Sequence, residues 1–569
     1  MHRLSGEDSG FLSMEGPEQA MSTIAVAILR GPDGGPTSLT RADVHAHLER
    51  RLDQLPSFRW RIVPVPFGLH HPVAVRDPEF DLDFHLREAT LDPGEALDER
   101  FARLAERPLD RRHPLWQVTL LHGLPDGGQA LVLKYHHCLA DGVAARTIFE
   151  RVFADHDTPP IPGEALPWSP EPIPSGPLLV LLAVLDHLRS LLGLIGLARR
   201  TAAGAKAAKA RRERATVEVP AFSGAAPNTA LNRAFSPGRA YGRAALPLAD
   251  VKRAKDLAGT TLNDVVLAVV AGAAERYLAS RGEHPDRPLL ASVPVSYEAP
   301  DAPLRQAGNR FWSFTTSLHT DVADPWDRLL AISATAGEAK AQLDLLGPDL
   351  LPAWLDHVPP LVSKPGARAL VERLRALGPD DLVDANVLIS NIRGPAEPWH
   401  LLGATVADLY IDGPPSNGVG WNVMLWSYGD RVLIGVLAFA DSLVDAPALG
   451  GHLEAAFAEL LDAVERHAVT PLAELGPRRG QPGGRPPPQL RLRAGEAEPQ
   501  AVAVVLGASG QAVGGGDRNP VAQRHLGEAG RHRRRELHPQ RQAPVWHRAP
   551  PRRQVLGEEP VEELGPRAR

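Results

Sequence analysis

The sequence predicts an α/β fold made of two similar halves. Residues 1 to about 160 alternate strand and helix patterns, and the second half contains a strand, a loop and a helix that echo residues 129–153. A proline-rich run between residues 158 and 177 excludes regular structure and marks a boundary. The expected segments are a first domain over 1–160, a linker over 161–220, a second domain over 221–475 and a tail over 476–569.

In the first half, the elements follow from helix caps and apolar spacing. Thr40 is a good N-cap for an amphipathic helix that extends to about Leu55, with Leu48 and Leu52 on the same face. Residues 58–65 and 129–135 have the composition of strands. Residues 142–153 have the apolar spacing of a helix. These patterns place the polar residues 136–141 at a junction between a strand and a helix, where functional groups are often held.

The second half shows a comparable order. Thr261 opens a helix that continues through residues 264–277. We expect strands over residues 290–295, 311–318 and 432–439, and a helix over 447–466. Ala440 and Asp441 follow the last strand, where the first half carries two imidazoles. Of the two halves, only the first therefore carries candidate catalytic histidines at this position.

The linker contains the most apolar stretch of the chain, residues 178–197, followed by seven basic residues up to Arg214. Asp186, His187 and Arg189 interrupt its middle, where a membrane-spanning helix tolerates charge least. Two interpretations remain open. Residues 178–214 form either a helix in the interface of an anionic membrane or lipid droplet, or a linker helix packed on the domain surface.

Charge and cysteine content exclude several classes of protein. The first 475 residues hold 45 basic and 59 acidic residues, a formal net charge of −14, which argues against a nucleic-acid partner. Cys138 is the single cysteine, so there is no internal disulfide framework. The N-terminus has acidic residues where a secretion signal needs a basic region. We expect a cytoplasmic protein, either free or peripheral on the inner membrane or on lipid droplets.

The tail after residue 475 has a different composition. It contains 17 arginines and no lysine, isoleucine, phenylalanine, tyrosine or methionine. Such a segment buries too little apolar surface to offset chain entropy, so disorder is expected. The missing residue types also fit GC-rich DNA that is read in a wrong frame from near Gly476.

The string His-His-Cys-Leu-Ala-Asp-Gly at residues 136–142 carries the chemistry. A positioned imidazole can take a proton from an alcohol and return it to a leaving group, which makes His137 the candidate general base. Two alternatives are a merely polar strand exit and a metal site, for which neither His113 nor Asp141 completes a known pattern. Cys138 is interpreted as a small buried thiol rather than a nucleophile.

Several motifs in order resemble the bacterial wax ester synthase/acyl-CoA:diacylglycerol acyltransferases, within the superfamily that includes chloramphenicol acetyltransferase. The resemblance covers about residues 4–475. Its motifs are residues 4–12 (Leu-Ser-Gly-Glu-Asp-Ser-Gly-Phe-Leu), 114–116 (Pro-Leu-Trp), 136–142, 262–268 (Leu-Asn-Asp-Val-Val-Leu-Ala) and 390–395 (Ser-Asn-Ile-Arg-Gly-Pro). The departures are Gly6 and Glu7 before the aspartate, Arg393 where proline is usual, and the tail.

The resemblance implies two chloramphenicol-acetyltransferase-like domains with an active-site tunnel between them. Acyl-CoA would enter from one side as co-substrate, with no cofactor or metal, and diacylglycerol or a long-chain alcohol from the other. His137 would be the base, His136 its support and Asp141 a residue that orients the loop. Gly142 would permit the close turn into the helix.

Asn263 matches the family's Asn-Asp motif and would help to hold the active site or the developing oxyanion. From the residues alone, however, it reads as a polar residue near the Thr261 cap. Asp264, Trp116 and the turn at residues 391–395 also have ordinary structural interpretations.

The chemistry is consistent with acyl transfer. A thioester is already activated, so transfer needs proton removal, a place for the oxyanion and proton return, without a covalent relay. No Gly-x-Ser-x-Gly elbow occurs in the sequence, which argues against a hydrolase-type lipase. The alternatives are acylation of another acceptor (a polyketide, sugar or peptide) and an inactive protein that binds lipid surfaces.

Overall fold

The computed structural model describes residues 1–155, 169–221, 224–232, 235–299, 302 and 305–469. All of them belong to one compact unit. The predicted tail over 476–569 lies outside the described residues, as do residues 161–168 of the predicted linker.

The helices are numbered along the chain. They are α1 (Gly6–Met14), α2 (Arg41–Arg51), α3 (Leu82–His85), α4 (Leu97–Glu106), α5 (Gly142–Phe153), α6 (Gly176–Arg212), α7 (Leu248–Ala258), α8 (Leu262–Ser280), α9 (Pro325–Leu346), α10 (Leu350–Leu355), α11 (Pro360–Arg375) and α12 (Ala446–Val469).

The strands are numbered in the same way. They are β1 (His2–Arg3), β2 (Ser22–Arg30), β3 (Trp60–Val63), β4 (Val73–Arg76), β5 (Leu86–Thr90), β6 (Trp116–His122), β7 (Gln129–His136), β8 (Ala226–Pro227), β9 (Arg239–Pro247), β10 (Leu290–Ser296), β11 (Phe311–Ser317), β12 (Leu382–Val383), β13 (Val387–Ile392), β14 (His400–Leu401), β15 (Ala404–Asp412), β16 (Trp421–Tyr428) and β17 (Arg431–Phe439).

Two six-stranded sheets form the framework. The first has the order β14-β15-β2-β7-β6-β5 and the second β11-β10-β13-β16-β17-β9. A large apolar cluster covers each sheet, the first around β2, β6 and β7 and the second around α8, β16 and β17. The expected α/β fold with two comparable halves is confirmed.

The two halves are joined by an exchanged strand. β15 belongs to the second half by sequence, but it pairs antiparallel with β2 of the first sheet, from Thr405 opposite Arg30 to Asp412 opposite Ile24. Residues 400–412 therefore complete the first domain, a placement that the predicted boundaries 1–160 and 221–475 do not include. Sequence periodicity identifies a strand but does not reveal the sheet in which it pairs.

Helix starts are well determined by local chemistry. Ser5, Thr40 and Thr261 each form a capping box, in which the hydroxyl accepts from the backbone of an aspartate three residues later. Those aspartates return a hydrogen bond to the cap. The cap predicted at Thr40 and the helix predicted after Thr261 are confirmed.

Helix α6 connects the halves and lies on the surface. It bends by 50° between Leu191 and Gly193, and Leu179 and Ala183 pack into a small cluster with strands β3 and β4 and their flanking residues. In the described part of the chain, no single helix is both long and apolar enough to cross a membrane. Two bent pairs of helical segments reach the required length and apolarity only when each pair is taken together. One pair is α7 with α8, and the other consists of the two segments of α6.

The exchanged strand predicts that the halves depend on each other for stability. Leu409 of β15 is fully buried in the first cluster, so Leu409→Ala should lower the free energy of unfolding by about 2–5 kcal/mol. Urea unfolding followed by tryptophan fluorescence measures this change. Leu257 is exposed on α7, and Leu257→Ala should change it by less than about 0.5 kcal/mol. Equal effects of the two variants would contradict the prediction.

Candidate active site

The motif at residues 136–142 connects β7 to α5. β7 ends at His136 and α5 begins at Gly142, as the sequence predicts within one residue. Asp141 is the N-cap of α5, and its Oδ1 accepts hydrogen bonds of 3.0 Å from the backbone N–H groups of Val143 and Ala144. One oxygen of this carboxylate therefore caps the N-terminus of the helix.

The other oxygen of Asp141 binds the second half. Its Oδ2 accepts from Arg305 Nη2 at 2.5 Å and from the backbone N–H of Arg310 at 2.9 Å. Gly308 adds two backbone bonds, with its N–H donating to Leu139 and its carbonyl accepting from Asp141. Asp141 thus holds the loop against residues 305–310, and both of its oxygens accept hydrogen bonds from the protein.

His137 is oriented by Asn309. The amide nitrogen of Asn309 donates to Asp8 at 2.7 Å and to the carbonyl of His137 at 2.9 Å. Because both acceptors require N–H donors, the amide oxygen must face His137 Nδ1, which lies 3.1 Å away. Nδ1 therefore carries the proton. Nε2 keeps its lone pair and has no hydrogen-bond partner among the described residues.

Asp8 anchors this arrangement to α1. Its Oδ1 accepts from both the backbone and the side chain of Asn309, at 2.9 and 2.7 Å. Its Oδ2 accepts from the backbone N–H of Ser5, as part of the capping box of α1. Through Asn309, the N-terminal motif of the chain is thus linked to the imidazole by hydrogen bonds.

Aromatic rings surround His137. Phe11 of α1 stacks on the imidazole with 4.2 Å between ring centroids, and Phe311 lies tilted at 6.2 Å. Burial among these groups disfavours the imidazolium ion and lowers the pKa of His137 to about 4, even though its own carbonyl and Asp141 favour that ion. The imidazole is therefore neutral at neutral pH, as a general base must be.

His136 is fully buried and supports the loop. Its Nδ1 accepts from the backbone N–H of Cys138 at 3.1 Å, so Nε2 carries the proton and lies 3.3 Å from Glu15 Oε2. Burial raises the pKa of Glu15, but His136 and Arg111 outweigh this effect and hold it at about 2. An ionised Glu15 thus fixes the orientation of His136, which has no free face for substrate.

Gly142 lies at a close contact between the two halves. A Cβ atom at this position would lie 2.5 Å from Ile392 Cδ1 at the end of β13. The φ angle of Gly142 is not in the left-handed region, so a special turn conformation does not explain the glycine. The close approach of the second half explains it instead.

Asn263 lies in the first turn of α8 and lines a cavity of about 540 Å³ together with Asn391, Lys340 and Ser296. No hydrogen bond links it to His137 in the described part of the chain. The neighbouring Asp264 closes the capping box and accepts from Ser333 of α9 at 2.9 Å. The asparagine that contacts the imidazole is Asn309.

Two further expectations concern the core. Trp116 is buried, donates from Nε1 to the carbonyl of Phe58 and stacks on His85, so it is a core residue. Cys138 is buried, and burial raises the pKa of its thiol well above the ordinary value. Both interpretations are confirmed.

A cavity of about 720 Å³ borders the loop between the halves. Its lining includes Cys138 and Leu139 from the loop, Gly308 and Asn309 from the second half, and Asp186 of α6. The cavity lies between the halves, where the tunnel is expected, but His137 is not among its lining residues. Among the described residues, no cluster of three or more His, Cys, Asp and Glu side chains could hold a metal ion.

Sequence reasoning did not identify Glu15, Asn309 or Arg305. Each acts on the motif from more than 100 residues away, and nothing in its local sequence marks it. Asp8 and Phe11 belong to the opening motif, but nothing in that motif indicates that they reach His137.

Comparisons with known proteins agree with this geometry. Residues 4–266 match the model of the wax ester synthase/diacylglycerol acyltransferase catalytic domain, and residues 307–461 match the C-terminal domain of the same family.

Two relatives from Mycobacterium tuberculosis are named as diacylglycerol O-acyltransferases. One is 35% identical over 463 residues, which cover 81% of this chain and 96% of the relative. The other is 33% identical over 485 residues, which cover 82% and 99%. A solved structure of a wax ester synthase/diacylglycerol acyltransferase from Marinobacter aquaeolei VT8 superimposes with a TM-score of 0.56 at 26% identity, over 81% of this chain and 100% of that one. The chain belongs to the wax ester synthase/diacylglycerol acyltransferase family.

Proposed function

We propose that this acyltransferase moves a long-chain acyl group from acyl-CoA to the hydroxyl of diacylglycerol or of a long-chain alcohol. The products are triacylglycerol or a wax ester. The observation that carries the proposal is the imidazole of His137, whose Nδ1 is held by Asn309 and whose Nε2 is unprotonated and has no partner in the described part of the chain.

The reaction follows from this arrangement. His137 Nε2 takes the proton from the acceptor hydroxyl while its oxygen attacks the thioester carbonyl. Collapse of the tetrahedral intermediate breaks the carbon–sulfur bond, and the imidazolium returns the proton to the departing CoA thiolate. Asn309 and Asp8 keep the ring in place while its charge changes, and Asp141 and His136 hold the loop.

The acceptor is the open part of the proposal. A polyketide, sugar or peptide hydroxyl would need the same proton transfer, so the catalytic geometry does not discriminate between them. An inactive lipid-binding protein is disfavoured because the base, its asparagine and the loop contacts are all assembled. We assign Asn263 to the cavity beside Asn391, where it would contact substrate rather than His137.

Replacement of the base tests the mechanism. His137→Ala should lower kcat by about 10²–10⁴-fold for labelled palmitoyl-CoA with diacylglycerol or hexadecanol, separated by thin-layer chromatography. Cys138→Ala, at the next position, should keep most of the activity because the buried thiol takes no part. An active His137→Ala protein would refute the base, and product from neither acceptor in the wild type would refute the acceptor class.

The low pKa of His137 predicts the pH dependence. The neutral imidazole is the active form, so acidification removes activity only as the pH falls toward about 4. The kcat/KM profile, which reports the free enzyme, should therefore stay level through the ordinary histidine pKa of about 6.5. A fall in activity with a midpoint at or above the ordinary histidine pKa would contradict this account.

Replacement of Asn309 tests the orientation of the imidazole. Asn309→Ala should lower kcat by about 10²-fold because the ring is then misoriented.

We also propose that α6 places the enzyme on an anionic lipid surface. Its outward face carries Leu181, Leu188, Leu191 and Ile195, each more than half exposed. Leu181, Leu188 and Leu191 are seven and three residues apart and so form one stripe along the helix, with Ile195 just past its bend. The opposite face is held to the body, by the Arg3–Asp186 ion pair at 2.8 Å and by His187 against the carbonyl of Leu69.

Neighbouring features support the lipid surface. Phe67 is 81% exposed in a left-handed backbone conformation, and its neighbour Pro66 lies beside the start of α6. The basic end of α6 adds the exposed Arg199, Lys206 and Lys209. Cations beside an apolar stripe suit anionic headgroups.

Vesicle flotation tests this surface. Leu181→Glu combined with Leu188→Glu should remove most of the protein from vesicles of phosphatidylglycerol and phosphatidylcholine, since it places two charges in the apolar stripe. Leu257→Glu, at an exposed leucine of α7, should leave flotation unchanged. If the double variant floated as well as the wild type, α6 would not be the segment that contacts lipid.

A further inference from the structure

A second cavity lies beside α11. It has a volume of about 640 Å³ and lies between the end of α1 and α11. Leu12, Leu370 and Leu374 supply apolar lining. Its wall also includes Glu15, which contacts His136, so the cavity reaches the support of the catalytic loop.

This cavity collects positive charge. Arg111, Lys364, Arg368 and Arg375 line it. Arg111 is bound by Glu15 at 2.8 Å, and Arg375 pairs with Glu18. Lys364 and Arg368, one turn apart on α11, have no ion-pair or hydrogen-bond partner among the described residues. Burial and the charges of Arg111 and Arg368 lower the pKa of Lys364.

Clustered cations without a counterion favour an anionic ligand. Glu372 also lines the cavity, but it forms no ion pair with Lys364 or Arg368 in the described structure. A single carboxylate would in any case leave one of the two cations uncompensated. The unpaired cations and the apolar lining of this cavity therefore suit a ligand that carries several negative charges and some apolar surface.

The other two cavities near the loop differ in this respect. In the cavity under α6, Arg3 pairs with Asp186, Arg305 with Asp141, and Arg310 approaches Glu298 at 3.5 Å. The cavity beside Asn263 contains one basic residue, Lys340. Of these three cavities, the one beside α11 therefore holds the most unpaired positive charge, on Lys364 and Arg368.

We propose that the α11 cavity binds the phosphate groups of acyl-CoA, with Lys364 and Arg368 as the main contacts and Arg111 as a third. Arginine and lysine donate charge-assisted hydrogen bonds to phosphate oxygens. Leu370 and Leu374 offer apolar surface to the rest of the carrier. The inference rests on the proposed function, because it assigns a place to the donor of that reaction.

An acyl donor without phosphates distinguishes an effect on phosphate binding from an effect on the acyl-transfer step. The variant is Lys364→Glu combined with Arg368→Glu, and the donors are palmitoyl-CoA and the palmitoyl thioester of N-acetylcysteamine. We expect KM for palmitoyl-CoA to rise by about tenfold or more, as for loss of charged hydrogen bonds, with kcat retained. The kcat/KM for the phosphate-free donor should not change, and inhibition by free CoA should weaken by a similar factor.

The control is Lys252→Glu, at an exposed lysine of α7, which should change neither donor's kinetics. Both cavity residues are solvent-accessible, so the variant should fold, and its thermal unfolding midpoint is measured first. Equal losses with both donors would overturn the phosphate site. So would a rise in KM for palmitoyl-CoA in Lys340→Ala but not in the double variant.

A phospholipid headgroup shares the phosphate chemistry and is tested separately. Loss of binding to phosphatidic acid vesicles with an unchanged KM for palmitoyl-CoA would assign the cavity to lipid and overturn the proposal. Failure of the proposed function looks different, because the wild-type protein itself would then not turn over palmitoyl-CoA. A wild type active with palmitoyl-CoA and a double variant of equal KM would overturn only the site.

Discussion

The hydrogen bonds of Asn309 are the constraint on which the site depends. One amide group joins Asp8 of the first helix to His137 of the catalytic loop, and it belongs to the second half of the chain. Its donors are committed to a carboxylate and a carbonyl, so its oxygen can only face the imidazole. The free Nε2 of the base is therefore a result of docking the halves, and neither half alone would fix it.

The same docking explains the rest of the motif. Asp141 caps α5 with one oxygen and binds Arg305 with the other, and Gly142 leaves space for the side chain of Ile392. The exchanged strand β15 ties the second half into the first sheet. Motion of one half against the other would thus disturb the base, its tautomer and the loop together, which favours a rigid site.

Local patterns predicted what depends on local chemistry. The predicted bounds of helix α5 match the observed ones, and the strand predicted before it is one residue short, because apolar spacing indicates both elements. The partner strand of β15 and the roles of Glu15, Asn309 and Arg305 were not predictable in this way. Each is a contact between distant segments, and periodicity contains no information on which segments meet. Asn263 illustrates the same limit, since its motif is recognisable although its neighbours are not.

Several carboxyl groups surround His137, the proposed base, and their hydrogen bonds explain how its imidazole stays neutral. Asp8 and Asp141 direct their charge at N–H donors of residues 305–310, which reduces its effect on the imidazole. Glu7 is buried beside them, and burial together with the charge of Asp8 raises its pKa to about 8. A protonated Glu7 adds no negative charge near His137. The imidazolium ion is therefore not stabilised enough to offset burial, and the imidazole of His137 is neutral at neutral pH.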